Sequence, residues 1–136
     1  MNNFRMPQSE FIRFLLVGGT TVLIDFVVYF FILYIVGLET EMSKGVGFST
    51  GTLFSYFANK NFTFNSSLKG PSVFLLFVTL YFTTLIVNIG VNELSLLFFG
   101  RSVAGISLSL LIATVFSALL NYIGMKYVVF KGQTIE

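Results

Sequence analysis

Residues 43–60 read SKGVGFSTGTLFSYFANK, and every fourth position is small or an amide: Ser43, Gly47, Gly51, Ser55, Asn59. Adding 62 to each number gives Gly105, Ser109, Ala113, Ser117 and Asn121, inside GISLSLLIATVFSALLNY at 105–122. A step of four keeps residues on one stripe of a helix. Small residues on such a stripe admit a neighbouring backbone, which is how helices pack in lipid. The sequence therefore reads as a duplicated membrane module with two buried ladders, each ending in an amide at the same depth. Gly47, Gly51, Ser55, Ser109, Ala113 and Ser117 are assigned to helix packing. A polar centre in an apolar bundle points to transport more than to chemistry.

Working outward, composition supports a lipid-facing surface. The 136 residues are 55% hydrophobic and 10% charged, with a mean hydropathy of +0.88. A soluble domain carries roughly 25% charged residues. There is no Cys, His or Trp, which removes most nucleophile, general-base and transition-metal chemistry. No enzyme activity, metal, cofactor or nucleic-acid partner is expected. Gly18-Gly19 lacks the spacing of a phosphate loop and lies inside an apolar stretch, so no nucleotide site is expected either.

Four apolar stretches cover about 11–36, 42–64, 72–92 and 102–130, and a helix needs roughly 20 residues to cross the hydrocarbon core. The second is tight: Lys44 and Lys60 leave only 45–59 uncharged between them. At 1.5 Å per residue that covers about 22 Å, so both lysines snorkel or Lys60 sits in a polar cavity. The joining loops are expected at 37–41, 65–71 and 93–101. Arg5, Arg13, Lys60, Lys69, Lys126 and Lys131 share one side, against Lys44 and Arg101 with Glu39, Glu41 and Glu93 on the other. The positive-inside rule places both termini in the cytoplasm. The expectation is an all-α integral membrane protein: four transmembrane helices in one domain, built as two parallel two-helix repeats, about 11–64 and 73–130, in the bacterial cytoplasmic membrane. Four short spans enclose little volume, which a homodimer would enlarge.

The repeat extends past the ladders. Thr20, Thr21 and Asp25 match Thr83, Thr84 and Asn88 at an offset of 63, and Lys60 with Phe64 resembles Lys126 with Phe130 after an insertion of four. Asp25 is the most telling residue. An ionised carboxylate at mid-membrane costs roughly 2.5–3.5 kcal/mol on the insertion scale. It is therefore protonated, paired or in a wet cavity, either as a headgroup, ion or proton-linked contact or as a neutral structural acid. Arg13, Lys60 and Lys126 lie near helix ends on the cytoplasmic side, where a planar fork and two point charges suit a phosphate; ordinary positive-inside anchoring explains them equally. Asn59, Asn88 and Asn121, with Asp25, form a candidate sugar path; interhelical hydrogen bonding is the structural alternative.

Phe11-Ile12-Arg13-Phe14-Leu15-Leu16-Val17-Gly18-Gly19, followed by Asp25, resembles the opening of GtrA-like proteins. Asn59-Lys60-Asn61-Phe62-Thr63-Phe64 is similar to that family's Asn-Arg-x-Trp-Thr-Phe signature, with Lys for Arg and Phe for Trp. Asn121 through Lys126 to Phe130 resembles its weaker closing motif. The resemblance implies a flippase that carries a polyprenyl-phosphate-linked monosaccharide to the outer leaflet, for cell-surface polysaccharide or teichoic acid glycosylation by a membrane glycosyltransferase. It carries the family's motif positions to Arg13, Asp25, Asn59 and Lys60. A non-transporting adaptor that recruits the glycosyltransferase is the alternative. A small multidrug-type exporter, with its acid in the first span, stands third, because Lys60 and Lys126 oppose a cationic substrate.

Overall fold

The computed structural model describes residues 7–131; Arg5, counted above among the positive residues, lies outside them. Every regular element among the described residues is helical. Helix α1 (Pro7–Phe31) ends in a π turn, Ile32–Val36; α2 (Thr40–Ala58) ends in a π turn, Asn59–Thr63; α3 (Pro71–Phe99) has none; α4 (Val103–Gly124) ends in a π turn, Met125–Val129. The chain divides between Ser67 and Leu68 into two compact units, each a helical hairpin.

Glycine makes both hairpin turns. Gly37 has φ 80° and donates its N–H to the Ile32 carbonyl at 3.0 Å. Gly100 has φ 73° and donates to the Leu96 carbonyl at 2.9 Å. An L side chain is strained at such angles, so glycine ends the helix at little cost. Ser102 then starts α4, its Oγ accepting the Gly105 N–H at 3.1 Å.

The loop expected at 93–101 is shorter than that. Helix α3 runs through Glu93 to Phe99, because Glu-Leu-Ser-Leu-Leu-Phe-Phe contains a charge but no helix breaker. Glu93 stays exposed and meets Arg101 at 3.4 Å. Among the described residues three stretches are long and apolar enough to cross a membrane: Ser9–Val36, Pro71–Phe99 and Val103–Val129. Helix α2 does not reach that standard, since its ladder replaces apolar residues with Gly and Ser and Lys44 lies in its first turns.

Burial is inverted relative to a water-soluble protein. Leu23, Phe26, Leu97, Phe98, Val103 and Leu111 are exposed, whereas Ser43, Ser55, Asn59 and Ser109 are buried. In the first hairpin the whole ladder, Ser43 to Asn59, is buried. A Cβ on Gly47 would lie 2.6 Å from Asp25 Oδ1 and 2.8 Å from its carbonyl oxygen, and one on Gly51 would lie 3.2 Å from the Thr21 carbonyl. The glycines thus let α2 approach the α1 backbone. In the second hairpin Gly105, Ser109 and Ala113 are buried, while Ser117 and Asn121 are half-buried. The two hairpins also repeat an aromatic pair on their first helices: Phe11–Phe14 at 6.3 Å and Phe74–Phe77 at 6.5 Å between ring centroids.

Candidate functional site

The site begins with the way α2 ends. Its π turn places the Phe64 N–H on the Asn59 carbonyl at 2.9 Å and the Ser66 N–H on the Lys60 carbonyl at 2.7 Å. The Phe62 carbonyl is taken by a side chain from the other helix: Arg13 Nη1 donates to it at 3.2 Å, while Arg13 Nε donates to the Ser9 carbonyl at 3.2 Å. The guanidinium also lies 5.7 Å from the Phe62 ring centroid. Lys60 extends over Tyr56, with Nζ 5.9 Å from the ring. The two cations predicted from sequence in this hairpin, Arg13 and Lys60, therefore meet at one turn. Among the described residues neither pairs with a carboxylate. Arg13 keeps further N–H donors, and the carbonyl end of a helix favours cations. Such a turn is suited to holding an anion.

The second hairpin has a related turn. Lys126 is the second residue of its π turn, as Lys60 is of the first. Its Nζ donates to the Tyr122 hydroxyl at 3.4 Å and lies 5.6 Å and 5.9 Å from the Tyr122 and Tyr127 rings. Tyr56-Lys60-Phe64 and Tyr122-Lys126-Phe130 repeat at an offset of 66, against 62 for the ladders. The extra four residues are about one helical turn. Asn121 is thereby separated from Lys126, whereas Asn59 adjoins Lys60. Met125 and Val129 fill the buried positions that Asn59 and Thr63 fill in the first turn.

The polar residues expected to line a path fall into two kinds. Asn59 is 1% exposed; its Nδ2 donates to the Ser55 carbonyl at 2.9 Å and the Ser55 hydroxyl at 3.1 Å, and its Oδ1 accepts from Thr63 at 3.0 Å. Asn121 accepts from the Thr84 hydroxyl at 2.8 Å, and Asn88 donates to the Ser117 hydroxyl at 2.9 Å, both across α3 and α4. All three amides are engaged inside their own hairpin. Asp25 is different. It is half-buried, its carboxylate sits in the notch left by Gly47, and among the described residues no donor or basic side chain reaches it.

Tyr56, Tyr122, Thr63 and Thr84 hold site residues in place but were not assigned that role from sequence. The signals were present. Tyr at four residues before each Lys marks a cation–π pair on a helix, and Ser55-Asn59-Thr63 continues the period of the ladder.

A family model described as GtrA/DPMS, transmembrane domain, matches residues 13–132. The chain is also 29% identical over 131 residues to the cell wall teichoic acid glycosylation protein GtcA of Listeria monocytogenes, covering 88% of this chain and 83% of that protein.

Proposed function

This chain belongs to the GtrA/DPMS transmembrane-domain family, and on that premise we propose that it moves a polyprenyl-phosphate-linked sugar from the cytoplasmic to the outer leaflet. It is a multi-pass membrane protein. The sugar would serve glycosylation of a cell-wall polymer, the process named for its Listeria relative. In this reading α2 also spans the bilayer, the two hairpins are parallel repeats, and the Arg13–Lys60 turn faces the cytoplasm with both termini. The chain is not itself an enzyme; a membrane glycosyltransferase performs the transfer.

One observation carries the proposal. A single helix, α1, bears Arg13 at the cationic turn and Asp25 deeper in the apolar span. The intervening residues, at 1.5 Å each, cover about 18 Å. A phosphate at the turn leaves its sugar to travel along the face that Asp25 shares with Gly47, while the prenyl chain remains in lipid. An acid kept in an apolar helix with no partner among the described residues is most simply explained by function.

A second reading, the non-transporting adaptor, is favoured by a separate observation: Asn59, Asn88 and Asn121 are all engaged within their hairpins. They then contribute to rigidity rather than to a path. Flipping of a polyprenyl-phosphate-linked sugar in proteoliposomes separates the two. The flippase reading expects transport by the wild type and its loss in Asp25→Asn and Lys60→Gln. Transport at wild-type rate in both variants eliminates the path. No transport by a folded chain that is still required for sugar transfer in membranes favours the adaptor.

A further inference from the structure

Asn59 and Thr63 begin and end the cationic π turn and are each 1% exposed. Both N–H groups of the Asn59 amide are donated to Ser55, and its oxygen accepts from Thr63. No donor remains for a sugar hydroxyl. The second hairpin makes the same kind of turn without such a ladder: Met125 and Val129, 0% and 1% exposed, occupy the two positions. Apolar burial is the easier solution, because a buried amide must recover the hydration it gives up. A hydrogen-bonded ladder adds direction: it fixes how the turn is rotated about the helix axis, where apolar contact tolerates sliding.

Rotation has a consequence in the first hairpin. There a side chain from the facing helix docks on the turn, Arg13 on the Phe62 carbonyl at 3.2 Å. The position on α3 equivalent to Arg13, at an offset of 63, is Leu76, and it is exposed. The polar ladder thus occurs in the hairpin that has an arginine to orient. A twist of the turn would carry the Phe62 carbonyl away from the guanidinium and release it.

We infer that Asn59 and Thr63 are positioning residues. The Ser55–Asn59–Thr63 ladder sets the direction of the Phe62 carbonyl, and that carbonyl holds Arg13 in the turn that carries Lys60. The inference rests on the reading of these cations as a phosphate site and deepens it: Asn59 acts through the headgroup grip instead of lining the sugar path.

The test imports the second hairpin's residues into the first, as Asn59→Met with Thr63→Val. The full chain is placed in nanodiscs doped with polyprenyl phosphate that bears no sugar. Helicity and thermal midpoint are expected to stay close to wild type, since Met and Val close the equivalent turn in α4. The Arg13 Nη1–H resonance, whose proton goes to the Phe62 carbonyl, is expected to lose its protection from solvent exchange. Polyprenyl phosphate affinity should fall about tenfold, the size of one hydrogen bond to a charged group. Arg13→Gln should lose about tenfold in the wild type and under about twofold in the swapped background. A swap that keeps both the Arg13 signal and the affinity overturns the inference, as does a full additive loss from Arg13→Gln. Loss of the Arg13 signal while Arg13→Gln and Lys60→Gln bind normally overturns the phosphate reading and leaves the positioning of Arg13 standing. Should the double swap not fold, Thr63→Val alone removes one rung and is judged by the same three measurements.

Discussion

The two hairpins share a small-residue ladder and a lysine in a terminal π turn, yet they close by different means. In the second, α3 and α4 are tied by hydrogen bonds across the interface, Thr84 to Asn121 and Asn88 to Ser117. In the first, the equivalent groups turn inward on their own helices: Thr21 donates to the Val17 carbonyl at 2.8 Å and Asn59 donates to Ser55. The reason is the exchange of Asn88 for Asp25. Asn carries an NH2 group to give to a serine and Asp does not; the Ser55 hydroxyl takes its donor from Asn59 instead. Glycine supplies the alternative. Gly47 and Gly51 bring α2 against α1 by backbone approach, and the carboxylate lies in the space they leave. The second hairpin is clamped; the first is shaped around an acid.

The largest effect should come from filling that space. Gly47→Ala places a methyl within 2.8 Å of the Asp25 backbone oxygen, and backbone cannot step aside as a side-chain tip can. Overpacking of this kind costs about 1–3 kcal/mol, read as a fall in the thermal midpoint of the purified chain in detergent. At the equivalent ladder position, Ser109→Ala should be neutral or slightly stabilising. Ser109 is 0% exposed, and its Oγ has no partner among the described residues. Removing a buried unsatisfied hydroxyl relieves a desolvation penalty. A neutral Gly47→Ala would erase the distinction between the hairpins.

What the sequence disclosed follows the same division. The period of four revealed two helices and their buried faces, because close packing in lipid demands small residues at that spacing. It also revealed Asp25 and the lysines, since charge in an apolar run is conspicuous. It could not reveal the π turns: a ladder of Ser55, Asn59 and Thr63 fits either helix geometry, and only the Phe64 N–H on the Asn59 carbonyl distinguishes them. At Glu93 the charge suggests a loop, yet α3 continues to Phe99. Charge ends a span, not a helix; Gly100 ends the helix. Nor could spacing tell that Asn59 turns inward while Asn121 reaches across, because that depends on which neighbour has a free acceptor.

A smaller effect should separate the clamped hairpin from the shaped one. Asn121→Leu and Thr84→Val each remove the 2.8 Å bond between α3 and α4. Interhelical hydrogen bonds in membrane proteins are worth about 0.6 kcal/mol on average and about 1.7 at most. A double-mutant cycle on this pair should give a coupling in that range. Thr21→Val in the first hairpin should change stability less, because its hydroxyl only returns to its own helix. Equal costs for Thr21→Val and Thr84→Val would mean that the cross-helix bond contributes nothing to the second hairpin.

The smallest effect belongs to the turn. Arg101 and Glu93 pair at 3.4 Å across the Gly100 turn, with side chains 76% and 59% exposed. The residues at the matching offset in the first hairpin are Leu38 and Phe30, so this tie too is particular to the second. Exposed ion pairs contribute about 0–1 kcal/mol and are screened by salt. Arg101→Gln should therefore lower the thermal midpoint slightly at low ionic strength and leave it unchanged in molar salt. A loss that persists in high salt would mean that Arg101 acts through its stem packed along α3, by contact rather than by charge. The second hairpin would then be closed at its turn by the same kind of contact that closes the first along its ladder.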